Sequence, residues 1–336
     1  MLDEKTAGEA RTVLESALYE AKRVVVGQDA MLERVLVALL AGGHVLLEGV
    51  PGLAKTLTVR TLAKVVGGTF RRVQFTPDLV PADLVGTRIW LPDHGEFRTE
   101  LGPVFGNLLL ADEINRAPAK VQSALLEVMQ EHQVTIGGTS YPVPAPFLVL
   151  ATQNPIESEG TYALPEAQVD RFLFKLVIDY PAMGDEVAVV DRVVGGLPEP
   201  RRVMDAERLV AYGDVTRQVF VDRRVMAYAV RLADATRRPG RHGLDDLVPL
   251  VEFGASPRAP IGMVQAAQAL ALLRGRDHAT VRDVEDVAPD VLRHRLVLSY
   301  DALSEGVSAD SVLDRVLAAV PEPEERYGRR QRTAAA

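Results

Sequence analysis

Residues 48–56 read Glu-Gly-Val-Pro-Gly-Leu-Ala-Lys-Thr and directly follow the apolar run Val45-Leu46-Leu47. A buried strand that opens into a glycine-bearing loop and ends in Lys-Thr is a phosphate cradle. Gly49 and Gly52 let the backbone turn tightly and aim its N–H groups inward, and Val50, Pro51, Leu53 and Ala54 complete the loop. Lys55 can reach the outer phosphates and the Thr56 hydroxyl can hold Mg²⁺. Leu57 then opens an apolar helix with Val59, Leu62, Ala63 and Val66. Ala54 departs from the pattern, which wants glycine before the lysine. As a small residue in a first helical turn, it should cost little.

Such a cradle needs acidic partners. Asn107-Leu108-Leu109-Leu110-Ala111 is a short apolar strand ending in Asp112-Glu113. Asp112 is suited to hold Mg²⁺ through water, and Glu113 to polarise an attacking water. Alone, the pair would also cap a helix. Beside the cradle it favours ATP hydrolysis over a simple switch or a small-molecule kinase, neither of which needs Glu113. A third strand, Phe147–Ala151, leads to Thr152-Gln153-Asn154-Pro155. Asn154 can orient water or sense the γ-phosphate. Asn-Pro also starts turns, and the residues alone leave both roles open. Phosphoryl transfer gains from positive charge on the departing phosphate, and Arg171, Arg258 and Arg116 are the candidate sources. Arg171 could instead pair within the chain with Asp170 or Glu166. Arg258 follows Ser256-Pro257, a capping serine and a first-turn proline, where a helix would prefer an acid.

The elements that must position these residues show as an alternation of strand and helix from residue 44 to about 180. Continuous apolar strands between helices indicate a parallel sheet covered on both faces. Ile89-Trp90-Leu91 and Glu96-Phe97-Arg98 flank a Pro-Asp-His-Gly turn, a β-hairpin inserted beside a helix. Residues 133–143 form a second hairpin around Gly137-Gly138. Both hairpins could be surface decoration. Beyond Tyr180-Pro181 the spacing turns helical, which predicts an all-α second domain. Thr280 and Asp283 there form a capping box over the stripe Val281, Val284, Val287 and Val291. The predicted organisation is an α/β ATP-binding core with an N-terminal helix over 1–181, a helical lid over 182–320, and a disordered basic tail over 321–336.

The 336 residues suffice for two domains with a sizeable core. There are no cysteines, which excludes disulfides, thiolate nucleophiles and cysteine zinc sites. The six histidines have no metal-ligand spacing, so Mg²⁺ is the only metal assigned. No signal core opens the chain and no apolar run is long enough to span a bilayer, so no membrane segment and a cytoplasmic location are expected. A net charge of −8 argues against life on nucleic acid.

Four segments carry a resemblance. Gly49-Val-Pro-Gly-Leu-Ala-Lys-Thr56, Leu110-Ala-Asp-Glu-Ile-Asn-Arg-Ala117, Val149-Leu-Ala-Thr-Gln-Asn-Pro155 and Leu164-Pro-Glu-Ala-Gln-Val-Asp-Arg-Phe172 resemble the MoxR family of AAA+ ATPases. The resemblance covers most of residues 20–300. It implies a homo-oligomeric, hexameric ring that hydrolyses ATP to remodel or mature a protein client, with a von Willebrand factor A domain protein as a partner. It also implies that Val26, Gly27 and Gln28 pack on the adenine, that Arg171 is an arginine finger toward the neighbouring subunit, that Arg258 is a sensor reaching from the lid, and that the two hairpins face the pore or the client. The alternative is a nucleic-acid motor or loader on the same fold. Acidic charge and the lack of an appended DNA-binding motif count against it.

Overall fold

The computed structural model describes residues 2, 4–50, 52–154, 162 and 164–323. Pro51 and most of the basic tail therefore lie outside the described residues. The chain divides into two compact units. One is Met1–Val219 with Gln268–Asp277; the other is Phe220–Ala267 with His278–Ala336.

The first unit starts with helices α1 (Glu4–Lys22) and α2 (Asp29–Ala41), then strand β1 (Val45–Glu48), α3 (Lys55–Val65) and β2 (Phe70–Gln74). A short α4 (Pro81–Val85) leads into the hairpin β3 (Gly86–Leu91) and β4 (Glu96–Leu101). Then come β5 (Leu108–Asp112), α5 (Ala119–Glu131), the hairpin β6 (Gln133–Ile136) and β7 (Thr139–Pro142), and β8 (Leu148–Gln153). The unit continues through α6 (Glu166–Val169), β9 (Phe174–Val177), α7 (Met183–Gly195) and α8 (Ala206–Thr216).

The main sheet is parallel, in the order β2-β5-β8-β1-β9. Its central strands are the apolar runs read from the sequence: β1, β5 and β8 are buried almost throughout because helices cover both faces. One core cluster packs Leu46, Leu109, Ala111, Val149 and Ala151 from the sheet against Val121, Leu125 and Met129 of α5. Both predicted hairpins form, each as a separate two-stranded sheet. They meet where the Tyr141 hydroxyl donates to Thr99 Oγ1 at 3.2 Å. The first hairpin leaves Trp90 and Phe97 half exposed, edge to face at 4.9 Å, with the Arg88 guanidinium over the Phe97 ring.

Residues 182–219, grouped with the lid by sequence, cluster with the first unit. Helix α8 packs on α2, and Arg192 of α7 donates to the carbonyls of Lys22 and Arg23 at 2.9 and 2.6 Å, capping the end of α1.

The second unit is mainly helical: α9 (Arg223–Arg237), the first part of α10 (Arg258–Leu273), α11 (Val281–Leu292), α12 (Tyr300–Ser304) and α13 (Ala309–Ala319). The capping box is present, with Asp283 accepting from Thr280 N at 2.8 Å and Thr280 Oγ1 accepting in return from Asp283 N. Two short strand pairs, β10 (Phe220–Val221) with β12 (His278–Ala279) and β11 (Val251–Phe253) with β13 (Val297–Leu298), add to the helices. Strands of two or three residues are too short to show a period of two in sequence.

Candidate nucleotide site

Most residues that feed the site come from the carboxyl ends of strands. The loop after β1, Gln74 of β2, Asp112 of β5, and Thr152 and Gln153 of β8 open on one cavity of about 460 Å³. That edge is where parallel α/β sheets bind ligands. The cavity gathers Gly49, Gly52, Leu53, Ala54, Lys55, Thr56, Leu57, Asp112, Glu113 and Asn154, all named from the sequence.

The two loop glycines meet different needs. Gly52 sits at φ +90° in open space, so conformation selects it. At Gly49 a Cβ would come within 2.6 Å of the Ile178 carbonyl oxygen, so close packing after β9 selects it. Ala54 corrects the sequence expectation. It is not in the first helical turn but is the N-cap of α3, at φ +55° and ψ +19°. That is the left-handed region, costly for a residue with a Cβ.

Lys55 donates from Nζ to Gly49 O at 2.5 Å, tying the start of α3 back across the loop. Burial pushes its ammonium below the ordinary lysine range, while the carboxylates of Asp112, Glu113 and Glu48 pull the other way. Asp112 accepts from the Thr152 hydroxyl at 2.6 Å on Oδ1, and from Arg72 on Oδ2. The same Thr152 hydroxyl accepts the Glu113 backbone N–H at 2.8 Å. Glu113 stands at φ +58°, and its Oε2 accepts from Gln74 Nε2 at 2.8 Å and from Arg116 Nη1 at 2.9 Å. Asn154 is buried against the same cavity.

The donor set fits Mg²⁺. The Thr56 hydroxyl and Asp112 carboxylate supply hard oxygens to one cavity, the few-ligand arrangement Mg²⁺ takes when phosphates and water complete its shell. Among the described residues no group of three or more His, Cys, Asp or Glu could hold an ion by itself.

Other candidates stand elsewhere. Gly27, at φ +71°, packs against Pro181 and Asp185, Gln28 precedes α2, and neither they nor Val26 line the cavity. Val50 is also outside the lining. Arg171 is exposed; its guanidinium donates to Leu126 O at 3.4 Å and, among the described residues, pairs with neither Asp170 nor Glu166. Arg258 opens α10 in the second unit, its backbone N–H donating to Ser256 Oγ at 3.2 Å. Arg72, Gln74, Thr152 and Gln153 were missed as site residues. Gln74 and Arg72 gave no signal, because their partners lie about 40 residues away across a strand pairing.

A parallel sheet, a Lys-Thr loop after one of its inner strands and an Asp-Glu pair at the end of another define a P-loop ATPase. Comparison with known families agrees: a model of the "ATPase family associated with various cellular activities (AAA)" matches residues 44–174, and one of the "AAA lid domain" matches 248–316. Chaperone MoxR1 of Mycobacterium tuberculosis is 56% identical over 321 residues, 96% of this chain and 85% of that protein. Protein YeaC of Bacillus subtilis is 43% identical over 94% of this chain and 96% of its own length. A crystal structure of a candidate ATPase from Cytophaga hutchinsonii superposes with a TM-score of 0.91 at 44% identity, over 96% of this chain and 98% of that one. The chain belongs to the MoxR family of AAA+ ATPases.

Proposed function

We propose that the chain is a chaperone-type ATPase that spends ATP turnover on remodelling or assembling a protein client. The observation that carries the reading is the single cavity holding Lys55 and Thr56 together with Asp112, Glu113 and Asn154. The relative named a chaperone, similar along almost the whole chain, supports the client role. Net charge −8 supports a protein client over nucleic acid.

In this mechanism the loop N–H groups and Lys55 bind the polyphosphate. Thr56 and Asp112 would hold Mg²⁺, which would supply positive charge to offset that of the polyphosphate. Glu113 takes the proton of the attacking water. Its Oε2 is held by Gln74 and Arg116, which fixes the carboxylate and leaves Oε1 for that proton. Asn154 orients the water. Arg171 acts on the nucleotide of the next subunit in a hexameric ring, Arg258 senses the phosphate from the lid, and Val26–Gln28 contact the adenine. Residues 1–181 are read as the ATP-binding core and 182–320 as the lid, with the segment 182–219 clustering with the core unit. A cytoplasmic location and a von Willebrand factor A partner complete the proposal. Among the described residues no helix is long and apolar enough to cross a membrane.

Two substitutions test the site. Lys55→Ala should abolish ATP binding. Glu113→Gln should bind ATP while turnover falls about 10²- to 10⁴-fold, the worth of a positioned base. Wild-type affinity in the first, or wild-type turnover in the second, refutes the assignment. The Glu113→Gln chain, held with ATP, is then the bait for the client.

A further inference from the structure

Arg72 has no task in the mechanism above, yet it lines the cavity. It stands on β2, the edge strand of the sheet, two residues before Gln74, so the two side chains leave the same face. Its Nε and Nη2 both donate to Asp112 Oδ2, at 3.2 and 2.7 Å, and Nη2 also donates to Gln74 Oε1 at 3.2 Å. The Thr152 hydroxyl occupies Asp112 Oδ1. A carboxylate offers about four lone-pair sites. Three are taken, and both on Oδ2 belong to Arg72.

An exposed ion pair would ordinarily mean little. Here the acid is only 17% exposed and is the residue assigned to Mg²⁺. The Arg72 side chain is 49% exposed, so it can move away without a cavity opening behind it. The sheet does not depend on it, because β2 and β5 are joined by a backbone ladder from Phe70–Leu108 to Gln74–Asp112.

We propose that Arg72 is the resident counter-cation of the nucleotide site. It neutralises Asp112 while the site is empty, yields that carboxylate to Mg²⁺ on loading, and then turns to the polyphosphate. The inference rests on the nucleotide-site reading given above. It makes Arg72 a positioning residue with opposite effects on two ligands. ATP without Mg²⁺ is attracted by the guanidinium, whereas Mg²⁺ competes with it for Asp112. A residue that merely braced the sheet would weaken both.

The test is binding of a fluorescent ATP analogue, first in a chelator and then along a Mg²⁺ titration. Wild type, Arg72→Gln, Arg72→Lys and Lys55→Ala are compared, with thermal unfolding of each. Arg72→Gln should lose about tenfold in Mg²⁺-free affinity, the loss of roughly one charge-assisted hydrogen bond. Its half-saturating Mg²⁺ concentration should fall several-fold, at an unchanged unfolding temperature. Arg72→Lys, with the charge but not the fork, should lie between. If Lys55-dependent binding ignores Arg72→Gln in both measurements, or if both weaken together with thermal stability, the inference is overturned alone. If wild type binds no better than Lys55→Ala, the site reading fails and the inference with it.

Discussion

Ala54 and Glu113, two non-glycine residues on either side of the cavity, hold left-handed backbone at φ +55° and +58°. Strained backbone of this kind clusters at functional sites, where the surroundings must over-determine it. At Ala54 the constraint is visible: its carbonyl accepts from both the backbone N–H and the hydroxyl of Thr58, at 2.9 and 3.0 Å, while Lys55 is drawn back to Gly49. Ala54→Gly should therefore stabilise the nucleotide-free protein. The left-handed penalty for a Cβ is about 1–2 kcal/mol, and the extra entropy of glycine offsets about half, leaving roughly 0.5–1 kcal/mol. Thermal unfolding reads this as a small rise; a fall would mean that Ala54 does not adopt this conformation in solution. Residue types at the site were legible in the sequence, since Lys-Thr and Asp-Glu each carry their chemistry in their names. Backbone conformation was not. Ala54 read as helical because alanine favours helices, and only the strand-to-helix turn forces it left. Arg72 and Gln74 were equally silent, because the run Phe-Arg-Arg-Val-Gln gains meaning only from its register against Leu108–Asp112.

At the scale of elements, the entry to β1 is fixed by a buried histidine. Val149 N–H donates to His44 Nδ1 at 3.1 Å, so the other nitrogen carries the proton and donates to Met129 O at 3.0 Å. One neutral ring thus joins β1, β8 and the end of α5. Burial, with His132 adding to it and the Met129 bond opposing, lowers its pKa from 6.5 to about 4. Between those values the unfolded chain takes up a proton that the folded chain refuses. The stabilisation is complete above pH 6.5 and is lost as pH falls toward 4, at up to ~1.4 kcal/mol per pH unit. Denaturant unfolding at pH 7 and pH 5 should show wild type losing about 2 kcal/mol more than His44→Gln. Equal losses would assign the pH dependence to other groups. The sequence showed His44 only as one of six histidines without metal-ligand spacing; its two partners are 85 and 105 residues away. The strands and long helices were legible because burial on both faces, or along one stripe, writes itself into periodicity. The placement of 182–219 was not, since helical spacing shows that a face is buried but not against which unit.

At the scale of the whole molecule the open question is whether one chain completes its own site. Arg171 does not line the cavity, and among the described residues its guanidinium pairs with neither Asp170 nor Glu166 but donates to Leu126 O. In the proposed ring it serves the neighbour's nucleotide. Arg171→Ala should then leave ATP binding nearly intact, while hydrolysis falls by about 10³- to 10⁵-fold, the worth of an arginine finger. Wild-type turnover per chain should rise with protein concentration across the assembly range. Mixing separates the remaining cases. Lys55→Ala chains cannot bind ATP but still carry Arg171, and Arg171→Ala chains bind ATP but offer no finger. Combined, they should recover turnover that neither has alone, at interfaces where an intact Arg171 meets an intact Lys55. A mixture that stays inactive while mixed assemblies form, or a dilute monomer that turns over at full rate, would return Arg171 to a structural role and remove the ring from the mechanism.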